Sequence, residues 1–210
     1  MGLLAVNNLQ CVRGERTLFE HLTFNISSAT LLYVQGDNGT GKTTLLRTLC
    51  GLSTAHAGSI SWNGQETKTL AEDYSGQVLY IGHLAGIKED LTAVENLQFA
   101  VNIAGNDITR EEAITALTQV NIARCADLPT RVLSQGQKRR VALARLWLQN
   151  NPQSQPIWIL DEPFTALDTE AIKTLTAHIE SYVESGGIVV LTSHQEPNFT
   201  PSIMQRLQLN

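Results

Sequence analysis

The stretch Gly36-Asp37-Asn38-Gly39-Thr40-Gly41-Lys42-Thr43-Thr44 constrains this chain more than any other. It has the spacing GxxxxGK[ST], directly after an apolar run, Thr30–Gln35, that reads as a strand, and at the start of a segment, Gly41–Cys50, that reads as a helix. Glycines let such a loop curl until successive N–H groups point inward around phosphate oxygens, and the helix N-terminus behind it adds partial positive charge. Lys42 then brings charge to the β and γ phosphates, and Thr43 offers a hydroxyl to Mg²⁺. A glycine-rich turn with a chance lysine is the bland alternative, against which the strand and helix context weighs. A strand feeding such a loop needs a sheet around it, so the chain should be α/β.

The remaining pattern agrees. Val78–Ile81, Ile157–Leu160 and Ile188–Thr192 are continuous apolar runs, as in the buried strands of a mainly parallel sheet. A helix from about Thr169 to Ser185 should end at Gly186-Gly187. Leu3–Ile26 and Ser59–Trp62 alternate in hydropathy and predict a small antiparallel sheet. A region of about 84–146 departs from this rhythm. Its first part, to Arg131, carries helical patterns at Ala93–Ala104 and Arg110–Val120 with no strand between them, which predicts a helical lobe inserted in the α/β core. The 210 residues, 42% of them hydrophobic, suit one domain over 1–210.

A net charge of -5 leaves no global positive field for nucleic acid or anionic lipid. Cys11, Cys50 and Cys125 are scattered and without metal-ligand spacing, which fits a reducing cytoplasm. Met1-Gly2-Leu3-Leu4 has no basic flank of a signal peptide, and Val6 stands where a myristoylation signal needs Ser or Thr. No stretch reaches the roughly 18 apolar residues of a membrane span. Any contact with a membrane is therefore expected through partners.

The strand Ile157–Leu160 runs into Asp161-Glu162. Asp161 at the rim of a sheet can hold the hydration shell of Mg²⁺, and Glu162 can accept a proton from an attacking water. Alone, two acids after a strand read as a solvated loop; beside a phosphate loop they read as chemistry. A small-molecule kinase or a GTPase would present the same two elements.

Leu133-Ser134-Gln135-Gly136-Gln137 decides between them. It resembles the signature of the ABC (ATP-binding cassette) family, with Gln135 in place of the first signature glycine, and a helix over Lys138–Arg145 is expected after it. The resemblance implies a P-loop NTPase fold of ABC type, ATP and Mg²⁺ as cofactors, and ATP hydrolysis. It also implies a second copy of the chain, whose nucleotide is capped by Ser134, Gly136 and Gln137 at a helix N-terminus. The basic run Lys138–Arg140 reads as a solvated helix face rather than a nucleic-acid site. In family order, Thr165–Asp168 resembles the loop along the dimer seam, and His194 stands where the family has a histidine on the γ-phosphate. With Lys42 and Glu162 it completes the candidate catalytic set. Two positions depart. His83, followed by Leu84, holds the place of a metal-binding glutamine, and Arg13 that of the aromatic that stacks on adenine. A guanidinium of Arg13 or Arg16 stacking on the base is the expectation there. His21, His56 and His178 have no ligand spacing.

Within the family the chain is most similar to the ATP-binding subunits of the bacterial cytochrome c maturation complex, the haem exporter ATPases. Arg16–Phe19, Ile81–His83, Gly86–Lys88, Leu91–Leu97, Ala144–Leu148 and Trp158–Asp168 carry that likeness, and none of them holds haem-binding chemistry. It implies a peripheral subunit on the cytoplasmic face of the inner membrane, bound to integral membrane subunits, that couples hydrolysis to export or release of a haem carrier. The alternative is a non-transport ABC ATPase acting on nucleic acid or ribosomes. Such proteins carry tandem cassettes or a long coiled-coil insertion, and this sequence has neither.

Overall fold

The computed structural model describes residues 2–148, 156–194, 198–200, 202 and 204–210. Met1, part of the N-terminal stretch above, lies outside them. In chain order the elements are β1 (Leu3–Arg13), β2 (Arg16–Ser27), β3 (Thr30–Gln35), α1 (Lys42–Leu49), β4 (Ala57–Trp62) and β5 (Gln65–Glu66). There follow α2 (Thr67–Leu70), α3 (Glu72–Gly76), β6 (Val78–Ile81), α4 (Ala93–Ile103), α5 (Arg110–Gln119), α6 (Gln135–Leu143) and α7 (Arg145–Leu148). The last elements are β7 (Ile157–Leu160), α8 (Thr169–Glu184), β8 (Ile188–Thr192) and β9 (Met204–Gln208).

Among the described residues the strands form an antiparallel sheet, β2-β1-β4-β5, and a second sheet, β6-β7-β8-β3-β9, whose pairings are all parallel. β7 and β8 are buried at every position, as strands covered on both faces must be, and their unbroken apolar sequences supply that burial. The register then decides the chemistry. Ile81 lies beside Leu160, Leu160 beside Leu191, and Val34 beside Thr192. Four strands therefore finish level, and the loops leaving them converge at the carboxyl edge of the sheet, where ligands of open α/β sheets bind.

The chain divides into two compact units. The first, Met1–His83 with Asn151–Glu162 and Ile179–Asn210, holds both sheets. Leu4, Val6 and Ile26 of the antiparallel sheet share one core with Val34, Ile157 and Val190 of the parallel one and Leu45, Leu46 and Leu49 of α1. Each such side chain contributes about 1.5–3 kcal/mol by burial. Trp158, fully buried, stacks on Tyr182 with ring centroids 3.6 Å apart.

The second unit, Leu84–Asn150 with Pro163–His178, is helical. Val94, Leu97, Ala113, Leu117 and Val141 close its core. α4 and α5 each open on a capping box, Thr92 with Glu95 and Thr109 with Glu112. The segment expected as one helix after the signature begins earlier, at Gln135, and is interrupted at Ala144. β9, α2 and α3 were not read from the sequence. Among the described residues no helix is long and apolar enough to cross a membrane.

Candidate functional site

In the first unit the phosphate loop leaves β3 and enters α1. Gly36 has φ +147°, and a Cβ there would lie 2.6 Å from the Leu209 carbonyl oxygen and 2.7 Å from the Thr40 hydroxyl, so only glycine fits. Gly39 and Gly41 also have positive φ, and Gly41 is the residue from which α1 starts. The Lys42 ammonium donates to the carbonyls of Gly36 at 2.6 Å and Asp37 at 3.1 Å, and so lies over the loop.

The acids of β7 arrive beside it. Asp161 is 1% exposed and Glu162 7%. The Thr43 hydroxyl donates to Asp161 Oδ2 at 2.8 Å, and the fully buried Thr192 donates to Asp161 Oδ1 at 2.7 Å. Thr192 Oγ1 in turn accepts the backbone N–H of Glu162 at 2.9 Å. Glu162 Oε2 accepts the N–H of His194 at 2.9 Å, and His194 Nε2 stands 3.7 Å from Glu162 Oε1. Glu162 has φ +52°, a strained backbone for a residue with a side chain, and the bonds to Thr192 and His194 help to hold it there. Tyr33 steadies the approach to His194 by donating to the Ser193 carbonyl at 3.2 Å.

These groups share a cleft of about 310 Å³. Asn38, Gly39, Gly41, Lys42, Thr43 and Thr44 line it from the loop, and Asp161, Glu162 and His194 from the strand ends. His83 and Arg13 line it as well, with Leu18, which sequence reasoning did not single out. A hydroxyl facing a carboxylate is a hard oxygen pair, the donor set Mg²⁺ takes when phosphates and waters complete its shell. The residues present thus fit that ion. Among the described residues there is no cluster of three or more His, Cys, Asp or Glu side chains that would chelate a metal unaided.

The second unit carries the signature. Ser134 caps α6: its hydroxyl accepts the N–H of Gln137 at 3.2 Å, and Gln137 Oε1 accepts the N–H of Ser134 at 2.9 Å. A Cβ at Gly136 would lie 2.6 Å from the Ala166 carbonyl oxygen, so the loop Thr165–Asp168 approaches the signature too closely for a side chain. Ser134, Gly136 and Gln137 line a cleft of about 620 Å³ with Arg140, Ala166 and Asp168. Arg140 and Asp168 form an ion pair, and Asp168 Oδ1 accepts the Ala171 N–H at 2.9 Å. The Ala171 amide, with Arg140 beside it, holds the Asp168 carboxyl below the usual carboxylate range. Gln135 is exposed.

The basic run Lys138–Arg140 is not a solvated face. Lys138 pairs with Glu89 at 2.7 Å, Arg139 is 5% exposed and donates to the Pro163 carbonyl at 3.4 Å, and Arg140 is held by Asp168. Each cation is taken up inside its unit. His178 stacks on Trp147 with ring centroids 4.0 Å apart, its Nε2 3.1 Å from the Leu146 carbonyl oxygen, and His21 bonds Asn8. Thr192 is the functional residue that sequence reasoning missed. Its one signal is a polar residue ending the apolar run of β8.

Comparison with known proteins agrees with this geometry. The chain matches the ABC transporter family over residues 19–165. It is 48% identical over 194 residues to a cytochrome c biogenesis ATP-binding export protein of Nitrosomonas europaea, covering 92% of this chain and 89% of that one. A protein of the same description from Dechloromonas aromatica is 46% identical over 207 residues, covering 99% of this chain and 100% of that one. Among solved structures, a putative ABC transporter ATP-binding protein from Pyrococcus furiosus superposes with a TM-score of 0.82 at 25% identity, covering 98% of this chain and 97% of the other. A P-loop, an acid pair and a capped signature helix on this fold, with these relatives, show that the chain belongs to the ABC transporter family of ATP-binding proteins, within the group of cytochrome c biogenesis ATP-binding export proteins.

Proposed function

We propose that this chain is the ATP-hydrolysing subunit of a transporter serving cytochrome c biogenesis, and that it works as a pair of copies on integral membrane subunits. The observation that carries the reading is the set of hydrogen bonds running from Thr43 through Asp161 and Thr192 to Glu162 and His194. In this reading 1–210 is one ABC ATPase domain, and its helical lobe, 84–146, carries the signature.

The loop Gly36–Thr44 takes the triphosphate, and Lys42 moves from its own loop carbonyls to the β and γ phosphates. Thr43 and Asp161 would hold Mg²⁺, which when bound neutralises charge on the transferring phosphoryl group. Glu162 takes the proton of the attacking water. Its carboxylate is already aimed by the backbone of His194, and the His194 imidazole reaches the γ-phosphate. His83 lines the same cleft, and in this reading it bonds a water of the metal shell. Arg13 takes the base. Ser134, Gly136 and Gln137 cap the nucleotide of the partner copy, since a helix N-terminus with a free cleft before it is a second phosphate site.

The relatives' description goes as far as ATP-binding export in cytochrome c biogenesis; partners, location and cargo are part of the proposal. The subunit sits peripherally on the cytoplasmic face of the inner membrane, with no nucleic-acid partner, and couples hydrolysis to export or release of a haem carrier. Glu162→Gln tests the chemistry: turnover should fall by roughly 10²- to 10⁴-fold, about 3–5 kcal/mol, with ATP binding retained. Near-normal turnover would reject Glu162 as the base. Co-purification from detergent-solubilised membranes tests the assembly. Integral membrane proteins in the eluate support it, and ribosomes or DNA in their place would favour the non-transport alternative.

A further inference from the structure

Inside the helical unit, Asn96 of α4 is 5% exposed, and Thr130, in the turn Thr130–Val132 just ahead of the signature, is fully buried. Polar side chains in a core need partners, and these two find them on each other and on one stretch of backbone, Lys88–Thr92. Asn96 Oδ1 accepts the Lys88 N–H at 2.8 Å, and its amide group donates to the carbonyls of Lys88 at 3.0 Å, Leu91 at 3.2 Å and Thr92 at 2.9 Å. The Thr130 hydroxyl donates to the Lys88 carbonyl at 2.9 Å and accepts from the Asn96 amide at 3.4 Å. The backbones are joined too: the N–H of Thr130 donates to the Leu91 carbonyl at 2.9 Å, and that of Arg131 to the Glu89 carbonyl at 3.0 Å. On the solvent side, Arg131 pairs with Asp90 at 3.1 Å and Lys138 of α6 with Glu89 at 2.7 Å. The stretch Lys88–Thr92 thus grips the chain on both sides of the signature. The capping box of Ser134 and Gln137 shapes the cap without placing it, and the first turn of α6, Gln135 to Gln137, has no buried residue.

We infer that Asn96 and Thr130 are positioning residues for the signature: their hydrogen-bonded knot holds Ser134 and Gly136 where they cap the nucleotide of the partner copy. This rests on the two-copy reading above. The knot touches no nucleotide and acts through Leu133 and Ser134, which directly follow the turn it holds. Hydrogen bonds are directional and apolar packing is not, so the knot supplies the orientation that the core around Val141 cannot. Donors aimed at a phosphate lose most of their effect when displaced by a fraction of their bond length. Loosening the knot therefore costs turnover and spares ATP binding by the phosphate loop, which belongs to the other compact unit.

Thr130→Val tests this, because it keeps the shape and leaves the Lys88 carbonyl its bond from Asn96. Turnover should fall roughly 10- to 100-fold while Mg²⁺-ATP binding to the unpaired chain stays within about twofold, and Thr130→Ser, which keeps the hydroxyl, should recover most of the rate. Mixing then locates the defect. With an equal amount of Lys42→Ala, whose signature is intact, Thr130→Val should recover to roughly a quarter of the wild-type rate if the sites act independently. With Ser134→Arg, whose signature is blocked, it should not rise above Thr130→Val alone. Recovery with Ser134→Arg instead would place the defect in the phosphate-loop half and overturn the inference, as would unchanged turnover, no rescue by serine, or recovery with neither partner. Where Thr130→Val does not fold, Glu89→Gln/Asp90→Asn loosens the same grip from solvent: turnover should fall about two- to fivefold with ATP binding kept, and an unchanged rate overturns the inference. Should Lys42→Ala and Ser134→Arg fail to repair each other, the two-copy reading falls and the inference with it, an outcome distinct from all of these.

Discussion

One buried hydroxyl aims both acids of the site. Thr192 donates to Asp161 and accepts from the backbone of Glu162, while Thr43 takes the other Asp161 oxygen. Thr192→Val keeps the shape and strands the Glu162 N–H in the core, at a cost of about 1–3 kcal/mol. Urea unfolding should register that loss. Steady-state kinetics should show kcat falling roughly 10- to 100-fold, because the strained backbone at Glu162 loses the restraint that Thr192 supplies. Unchanged stability would mean that the hydroxyl is not what satisfies that amide. Lys42 was legible through the spacing of the phosphate loop, and Asp161 and Glu162 because an acid pair ending an apolar strand gains a meaning in a chain that carries that loop. Thr192 was not, since threonine is an ordinary strand residue and only the parallel register brings it to Asp161, 31 residues away. The run Lys138–Arg140 misled for a related reason: adjacent cations look solvated until the anion or carbonyl that each one meets is known.

At the scale of elements, β3, β6, β7 and β8 were readable to the residue from their short apolar runs; β7 and β8 are buried at every position, while β6 alternates buried and half-buried residues and β3 ends on the half-buried Gln35. β9 was invisible. Its five residues, Met-Gln-Arg-Leu-Gln, are half-buried or exposed, and its pairing with β3 at the sheet edge is the one thing that makes it a strand. α6 depends on its cap: Ser134→Ala should cost about 0.5–2 kcal/mol, measurable in urea, before any effect on nucleotide is considered. α7 and α8 contain a pH-sensitive contact. Burial holds the His178 imidazole below its ordinary value of 6.5, partly opposed by the Leu146 carbonyl. The unfolded chain therefore binds more protons than the folded one between the two values. Stability from this group is complete above about pH 6.5 and is lost as the pH falls through the folded value. His178→Phe keeps a ring on Trp147 but does not titrate. Denaturation midpoints below pH 6.5 should decline less steeply for this variant than for the wild type, and parallel curves would exclude His178 as the source.

For the whole molecule, the phosphate loop and the signature are two separate phosphate-binding devices carried by different compact units of one chain. If each catalytic site takes its loop from one copy and its cap from another, two dead variants should repair each other. Lys42→Ala lacks the loop cation and keeps its signature; Ser134→Arg fills the cap and keeps its loop. A mixed pair then has one site missing both parts and one site with both intact. Random pairing of equal amounts makes half the dimers mixed, so ATPase activity should return to roughly a quarter of the wild-type rate if the sites act independently. Each variant alone should stay near background at every concentration. The recovered activity should fall on dilution, because it belongs to the pair. A mixture as inactive as its components, with both variants folded and association shown by sedimentation, would mean that each chain completes its own site, and the signature would then need another role.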